Sequence, residues 1–107
     1  MSRLSEIDPL ELKRRIAKGE KPLILDVREP WEIAAASLAG TVNIPMGDIP
    51  SRVAELDPDR ETIVMCHHGV RSAQVAMYLA RNGFERVVNL AGGIDAMSEI
   101  DPSVPRY

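Results

Sequence analysis

Short continuous apolar runs alternate along this chain with stretches in which apolar residues recur at helical spacing. Pro22-Leu23-Ile24-Leu25-Asp26-Val27, Thr62-Ile63-Val64-Met65 and Arg86-Val87-Val88-Asn89-Leu90 read as buried strands, Val42-Asn43-Ile44 as a brief strand closed by Pro45, and 4–7 as a short edge strand. Asp8-Pro9-Leu10-Glu11 opens a helix: Asp8 caps it, Pro9 suits the first helical position, and Glu11 stands where a capping box places its acid. Leu12 and Ile16 are expected to face inward, Arg14 and Lys18 outward, with Gly19 as the stop. A short alanine-rich helix is predicted over 31–38. A further helix, capped by Asp48 and carrying Ile49, Val53 and Leu56 on one face, ends at Asp57-Pro58-Asp59. Small residues over 72–81 predict a helix packed tightly on the sheet and closed by Gly83, and a last helix runs over 94–98. Trp31 is expected to lie partly buried against the sheet, and Met46, Met65, Met77 and Met97 to fill the core. The segment 101–107 has two prolines and no periodicity, so it is assigned no structure.

Strands alternating with helices argue for an α/β fold with a parallel sheet covered on both faces. The 107 residues suffice for one domain, 1–107, with its core over about 5–98 and a C-terminal tail over 99–107. Hydrophobic content of 45% and charged content of 27% are ordinary for a globular protein. A net charge of −3 argues against nucleic-acid binding. The single cysteine excludes an intrachain disulfide. Residues 1–6 carry no apolar segment of signal-peptide length and no run approaches a membrane span, so a cytoplasmic location and no membrane partner are expected.

The chemistry concentrates in Met65-Cys66-His67-His68-Gly69-Val70-Arg71-Ser72, read as strand, tight loop and helix start. Such a loop points successive backbone N–H groups inward and ends on a helix N-terminus, and both features bind anions. A free thiol titrates near ~8.5, and helix N-termini and nearby cations lower that value. Arg71 is a cation within the loop, no acid lies between Cys66 and Ser72, and Gly69 permits positive φ or close backbone approach. The reading is that Cys66 is a nucleophile. The alternative for a lone cysteine at a strand end is simple packing.

Cys66-His67-His68-Gly69-Val70-Arg71-Ser72 resembles the active-site loop of single-domain rhodaneses, often Cys-x-x-Gly-x-Arg-Ser. Leu25-Asp26-Val27-Arg28-Glu29-Pro30, Gly40-Thr41-Val42-Asn43-Ile44-Pro45, and Asn82-Gly83-Phe84 with Asn89-Leu90-Ala91-Gly92-Gly93-Ile94 resemble the other motifs of that family. The resemblance implies about five strands in a mostly parallel sheet. It also implies a thiosulfate sulfurtransferase activity: Cys66 takes a sulfane sulfur from thiosulfate or a similar small-molecule donor, holds it as a persulfide, and passes it to cyanide, a thiol or a protein acceptor. On this reading His67, His68, Gly69, Val70, Arg71 and Ser72 form the substrate cradle. Arg71 either binds the anionic donor or pairs with an acid such as Asp26; Asp26 alternatively braces the loop, and Arg28 is read as a fold-stabilising pair ahead of a substrate contact. No cofactor is needed. Adjacent histidines beside a cysteine lack the spacing of a structural zinc site, so no metal is expected, and the histidines are placed at the pocket rim.

Three other readings share the fold. Phosphatase and arsenate reductase loops place five residues between cysteine and arginine, whereas His67-His68-Gly69-Val70 are four. A non-catalytic interaction module usually lacks the cysteine. A protein-to-protein sulfur relay shares the persulfide and differs only in partner. Ser37, Ala39 and Met97 depart from residues common in the family, away from the loop in sequence.

Overall fold

A computed structural model describes residues 4–107. Met1, Ser2 and Arg3, counted within the single domain above, lie outside the described residues. Five strands, β1 (Glu6–Ile7), β2 (Leu23–Asp26), β3 (Thr41–Asn43), β4 (Thr62–Met65) and β5 (Val87–Leu90), form one sheet in the order β1-β5-β4-β2-β3. Every pairing is parallel, with Asp26 opposite Met65 and Val64 opposite Asn89. The helices are α1 (Pro9–Ala17), α2 (Pro30–Ala35), α3 (Ile49–Arg52), α4 (Val70–Arg81) and α5 (Gly93–Ile100).

Alternation along the central strands divides the interior in two. Leu23, Leu25 and Val64 point to one side and pack with Ile49, Val75, Leu79 and Phe84, the layer of α3 and α4. Ile24, Ile63 and Met65 point to the other and pack with Leu12, Ile94 and Met97, the layer of α1 and α5. Both faces of β2 and β4 are thus buried, which is why these strands read as unbroken apolar runs. The expectation of an α/β sheet with helices on both faces holds.

Local signals at helix ends behave as their chemistry requires. The Asp8 carboxylate accepts from the Glu11 N–H at 2.9 Å and Pro9 starts α1. The expected helix after Asp48 is instead a short α-helical turn between two 3-10 turns, Met46–Asp48 and Val53–Glu55, and the Asp48 side chain caps nothing. Pro50 falls in the first turn of that segment, where its missing N–H costs no intrahelical bond.

Several placements correct the sequence reading. Ile16 is 44% exposed and lines an open groove of about 580 Å³ with Leu38, Met97 and Val104, because α1 buries itself through Leu12 alone. Trp31 is 67% exposed and Met77 48% exposed: each sits on the outer side of its helix, away from the sheet. The α4 helix begins at Val70 rather than 72. The segment 101–107 forms no helix or strand, as expected, yet it is packed, with Val104 buried in the α1/α5 layer and Tyr107 half-buried against it. Among the described residues, no helix is long and apolar enough to cross a membrane.

Candidate active site

Cys66 follows the last residue of β4, and its loop runs into α4 over the carboxyl edge of the parallel sheet, where ligands bind in this class of fold. Gly69 caps α4 at φ 102°, a left-handed conformation that an L side chain resists. The turn brings the Gly69 N–H to 3.1 Å from the Cys66 Sγ and the Ser72 Oγ to 3.2 Å. Carbonyls are drawn the other way. The first turn of α5 donates from the Ile94 N–H to the Cys66 carbonyl at 2.9 Å and from the Asp95 N–H to the His67 carbonyl at 3.0 Å. Gly93 makes that approach possible, since a Cβ there would lie 2.4 Å from both of those carbonyl oxygens. With its carbonyls held by α5, the loop aims its donors at the sulfur.

Cys66 is 1% exposed. Burial pushes its thiol up, but the Ser72 hydroxyl and the N–H groups of Ser72, Gly69 and His68 outweigh it, so ionisation falls below the ordinary thiol value. The donors come from the loop and the helix start, whereas Arg71, expected as the nearby cation, is turned onto Glu32.

The charged groups form a closed set. Arg28, fully buried, chelates Asp26 with its Nε at 3.0 Å and an Nη at 2.7 Å, and donates to the carbonyls of Glu32 and Ala36. Arg71 donates two parallel bonds to Glu32, at 2.6 and 2.8 Å. Asp26 therefore braces Arg28 and the end of β2, not the loop or Arg71. The acid facing Arg71 is Glu32, which sequence reading passed over. Its signal was present in the Glu29-Pro30-Trp31-Glu32 helix start, where Glu32, the third helical residue after the Glu29 cap, closes a capping box with Glu29. The Arg71 guanidinium holds the Glu32 carboxyl down at about 2, against the raising effect of burial and with help from Tyr107.

Tyr107 was also missed, for lack of any periodic signal around it. Its hydroxyl accepts from Arg28 at 2.9 Å and donates to Glu32 at 2.7 Å, joining the two ion pairs. Its ring stacks on His67 with centroids 4.1 Å apart, and His67 stacks on His68 at 3.9 Å. The histidines thus stand at the rim, with His68 exposed. Burial and the neighbouring His68 hold His67 below the ordinary imidazole value, which favours its neutral form. Asp95 reaches the same spot from α5, so that ligand atoms of His67, His68 and Asp95 lie within 4.8 Å of one another, a grouping invisible to histidine spacing alone. Val70 stays at the surface, 68% exposed. The last residue the sequence left without a role is Asn89, buried on β5, whose amide contacts both Gly69 and Ser72.

A parallel five-stranded sheet carrying a cysteine cup at one strand's carboxyl end defines a class of α/β domains. The family described as the rhodanese-like domain matches residues 8–100, and this chain belongs to it. It is 41% identical over 93 residues to a sulfurtransferase of Allochromatium vinosum, covering 87% of each chain. It is 40% identical to a putative sulfurtransferase of Bacillus subtilis, YtwF, over 87% of this chain and 89% of that one. Among solved structures, a rhodanese-like domain protein from Staphylococcus aureus superposes with a TM-score of 0.86 at 31% identity, covering 97% of this chain and 99% of the other.

Proposed function

We propose that this protein is a sulfurtransferase that carries sulfane sulfur on Cys66. The observation that carries this reading is the convergence of the Gly69 N–H and the Ser72 hydroxyl on a buried sulfur at the head of a helix. Such a site favours a thiolate over a thiol and also stabilises the terminal anion of a persulfide. The two curated relatives named as sulfurtransferases support it.

The thiolate attacks the outer sulfur of a donor such as thiosulfate. A bond forms between Sγ and that sulfur, the donor's S–S bond breaks, and its electron pair leaves with sulfite. The transferred sulfur, now a persulfide anion, is held by the N–H groups of residues 67–72. In the second half, a nucleophilic acceptor (cyanide or a thiol) takes the terminal sulfur and returns the Cys66 thiolate. No general base is required when the thiol is already ionised, and the two half-reactions give ping-pong kinetics. Arg71 serves the site mainly by fixing the start of α4, since two of its guanidinium nitrogens are occupied by Glu32.

A protein acceptor or donor is the second reading, favoured by the apolar surface at the rim. Val70 within the loop is exposed, and so is Trp31, whose ring meets Tyr107 edge-on at 6.2 Å. The test is intact mass after incubation with thiosulfate or a small organic persulfide. A gain of about 32 Da on Cys66, removed by cyanide with release of thiocyanate, is the expected result. No gain from either donor overturns the reading.

A further inference from the structure

Ser72 is fully buried and has one hydroxyl proton, yet its Oγ lies within bonding distance of two acceptors. These are Cys66 Sγ at 3.2 Å and Asn89 Oδ1 at 2.5 Å. A serine hydroxyl donates once and accepts through its lone pairs. The orientation of the Asn89 amide settles where that proton rests. Its Nδ2 lies 3.1 Å from the Gly69 carbonyl oxygen and 3.1 Å from a Glu6 carboxylate oxygen, and only the NH₂ end of the amide bonds to those two acceptors. Oδ1 is therefore the end that faces Ser72. Two oxygens 2.5 Å apart need a proton between them, so the Ser72 hydroxyl donates to Asn89 and turns its lone pairs toward the sulfur.

The geometry points to Asn89 as a positioning residue that governs the ionisation of Cys66 by holding the Ser72 proton. In the thiol form the chain of donors runs from Cys66 S–H to Ser72 Oγ, and from Ser72 O–H to Asn89 Oδ1. Loss of the thiol proton turns the Ser72 hydroxyl onto the sulfur and strips Oδ1 of its donor. Asn89 is 1% exposed, so bulk water does not replace that donor directly. When sulfur is transferred and the negative charge moves to the terminal atom, Ser72 returns to Asn89 and the buried bond is restored. The switch thus keeps the resting thiolate less satisfied than the persulfide and favours sulfur uptake. This role rests on Cys66 being the sulfur carrier.

The ionisable groups around the cup leave the switch its influence. Arg71 is closed on Glu32 and Arg28 on Asp26. His67 and His68 lie on the loop, Asp95 faces them from α5, Glu6 reaches Asn89 from β1, and Tyr107 covers His67.

The single cysteine makes two readouts unambiguous, both taken on the resting protein with no sulfur donor, so a failure of sulfur transfer is a separate result. The first is thiolate absorbance against pH for wild type, Asn89→Leu, Ser72→Ala and the double variant. Freed from Asn89, the Ser72 proton serves the sulfur fully. Asn89→Leu should therefore lower the Cys66 midpoint by about half a pH unit, roughly threefold more thiolate at a given acidic pH, and Ser72→Ala in that background should reverse it. An Asn89→Leu midpoint unchanged or raised overturns the proposal. The second is the S–H stretching band of wild type below the midpoint. It should sit at lower frequency than a free thiol and lose that shift in Ser72→Ala; identical bands overturn the proposal. The band alone decides should Asn89→Leu fail to fold.

Discussion

Glu32 and Arg71 meet through two parallel hydrogen bonds of 2.6 and 2.8 Å, one residue in the first turn of α2 and the other in the first turn of α4. Glu32 is 3% exposed, accepts a third bond from Tyr107, and caps its own helix through the Glu29 N–H. The pair ties the start of the helix that follows the cup to the strand end carrying Asp26 and Arg28. Removing Arg71 leaves the buried Glu32 carboxylate without its counter-ion, while removing Glu32 strips a part-exposed guanidinium of two charge-assisted bonds. Glu32→Gln is expected to lower unfolding free energy by about 2–3 kcal/mol in urea titration. Arg71→Lys restores only part of the loss of Arg71→Ala, because an ammonium cannot make the bidentate fork.

The same carboxylate sets an acid limit. Its folded value of about 2 lies below the ordinary 4.5, so ionised Glu32 stabilises the fold fully above about 4.5. That contribution, about 3 kcal/mol, is lost as pH falls from 4.5 towards 2. Stability measured against pH should drop across this window in wild type and be flatter in Glu32→Gln. Parallel curves would assign the acid sensitivity to other carboxylates.

Cys66→Ser is nearly isosteric and keeps a group able to accept from the Gly69 N–H. Sulfur transfer should disappear while unfolding free energy changes by about 1 kcal/mol or less. Residual turnover above background would remove Cys66 from the chemistry.

Two glycines with similar backbone conformation should respond differently to a methyl group. Gly83 has φ 94° and nothing within 4 Å of an added Cβ, so Gly83→Ala costs only the left-handed strain, about 1 kcal/mol. Gly93 has φ 62° and meets the carbonyl oxygens of Cys66 and His67 at 2.4 Å. Gly93→Ala should cost more than about 3 kcal/mol and lower the alkylation rate of Cys66, since the cup's backbone must move. Equal costs in thermal unfolding would refute the close-approach argument.

Tyr107→Phe keeps the ring on His67 and removes only the hydroxyl between Arg28 and Glu32. A loss of about 1–2 kcal/mol is expected from the two buried partners left short of a bond. Tyr107→Ala should lose more and free the His67 ring, visible as a shift in the imidazole titration by NMR.

The strands of this protein were legible because both faces of a parallel sheet are buried. Leu23-Ile24-Leu25 and Ile63-Val64-Met65 have no polar side to present. The cup was legible as well, since a cysteine, a glycine and a helix start within seven residues are governed by local backbone geometry. Asp8 and Pro9 announced α1 for the same reason. What only the tertiary structure decided is which groups answer one another across the chain. Glu32 rather than Asp26 faces Arg71, 39 residues away, and Tyr107 reaches Glu32 from 75 residues away. Asp95 joins the histidines, and Asn89 supports the floor of the cup, because β5 and α5 pack beside the β4–α4 loop. Exposure followed the same division. Periodicity told which residues share a helix face, but whether Ile16 or Trp31 lay beneath a neighbour depended on where the adjoining elements stopped. Local backbone chemistry is written in neighbouring residues, whereas charge pairing and burial are settled by distant segments that meet only on folding.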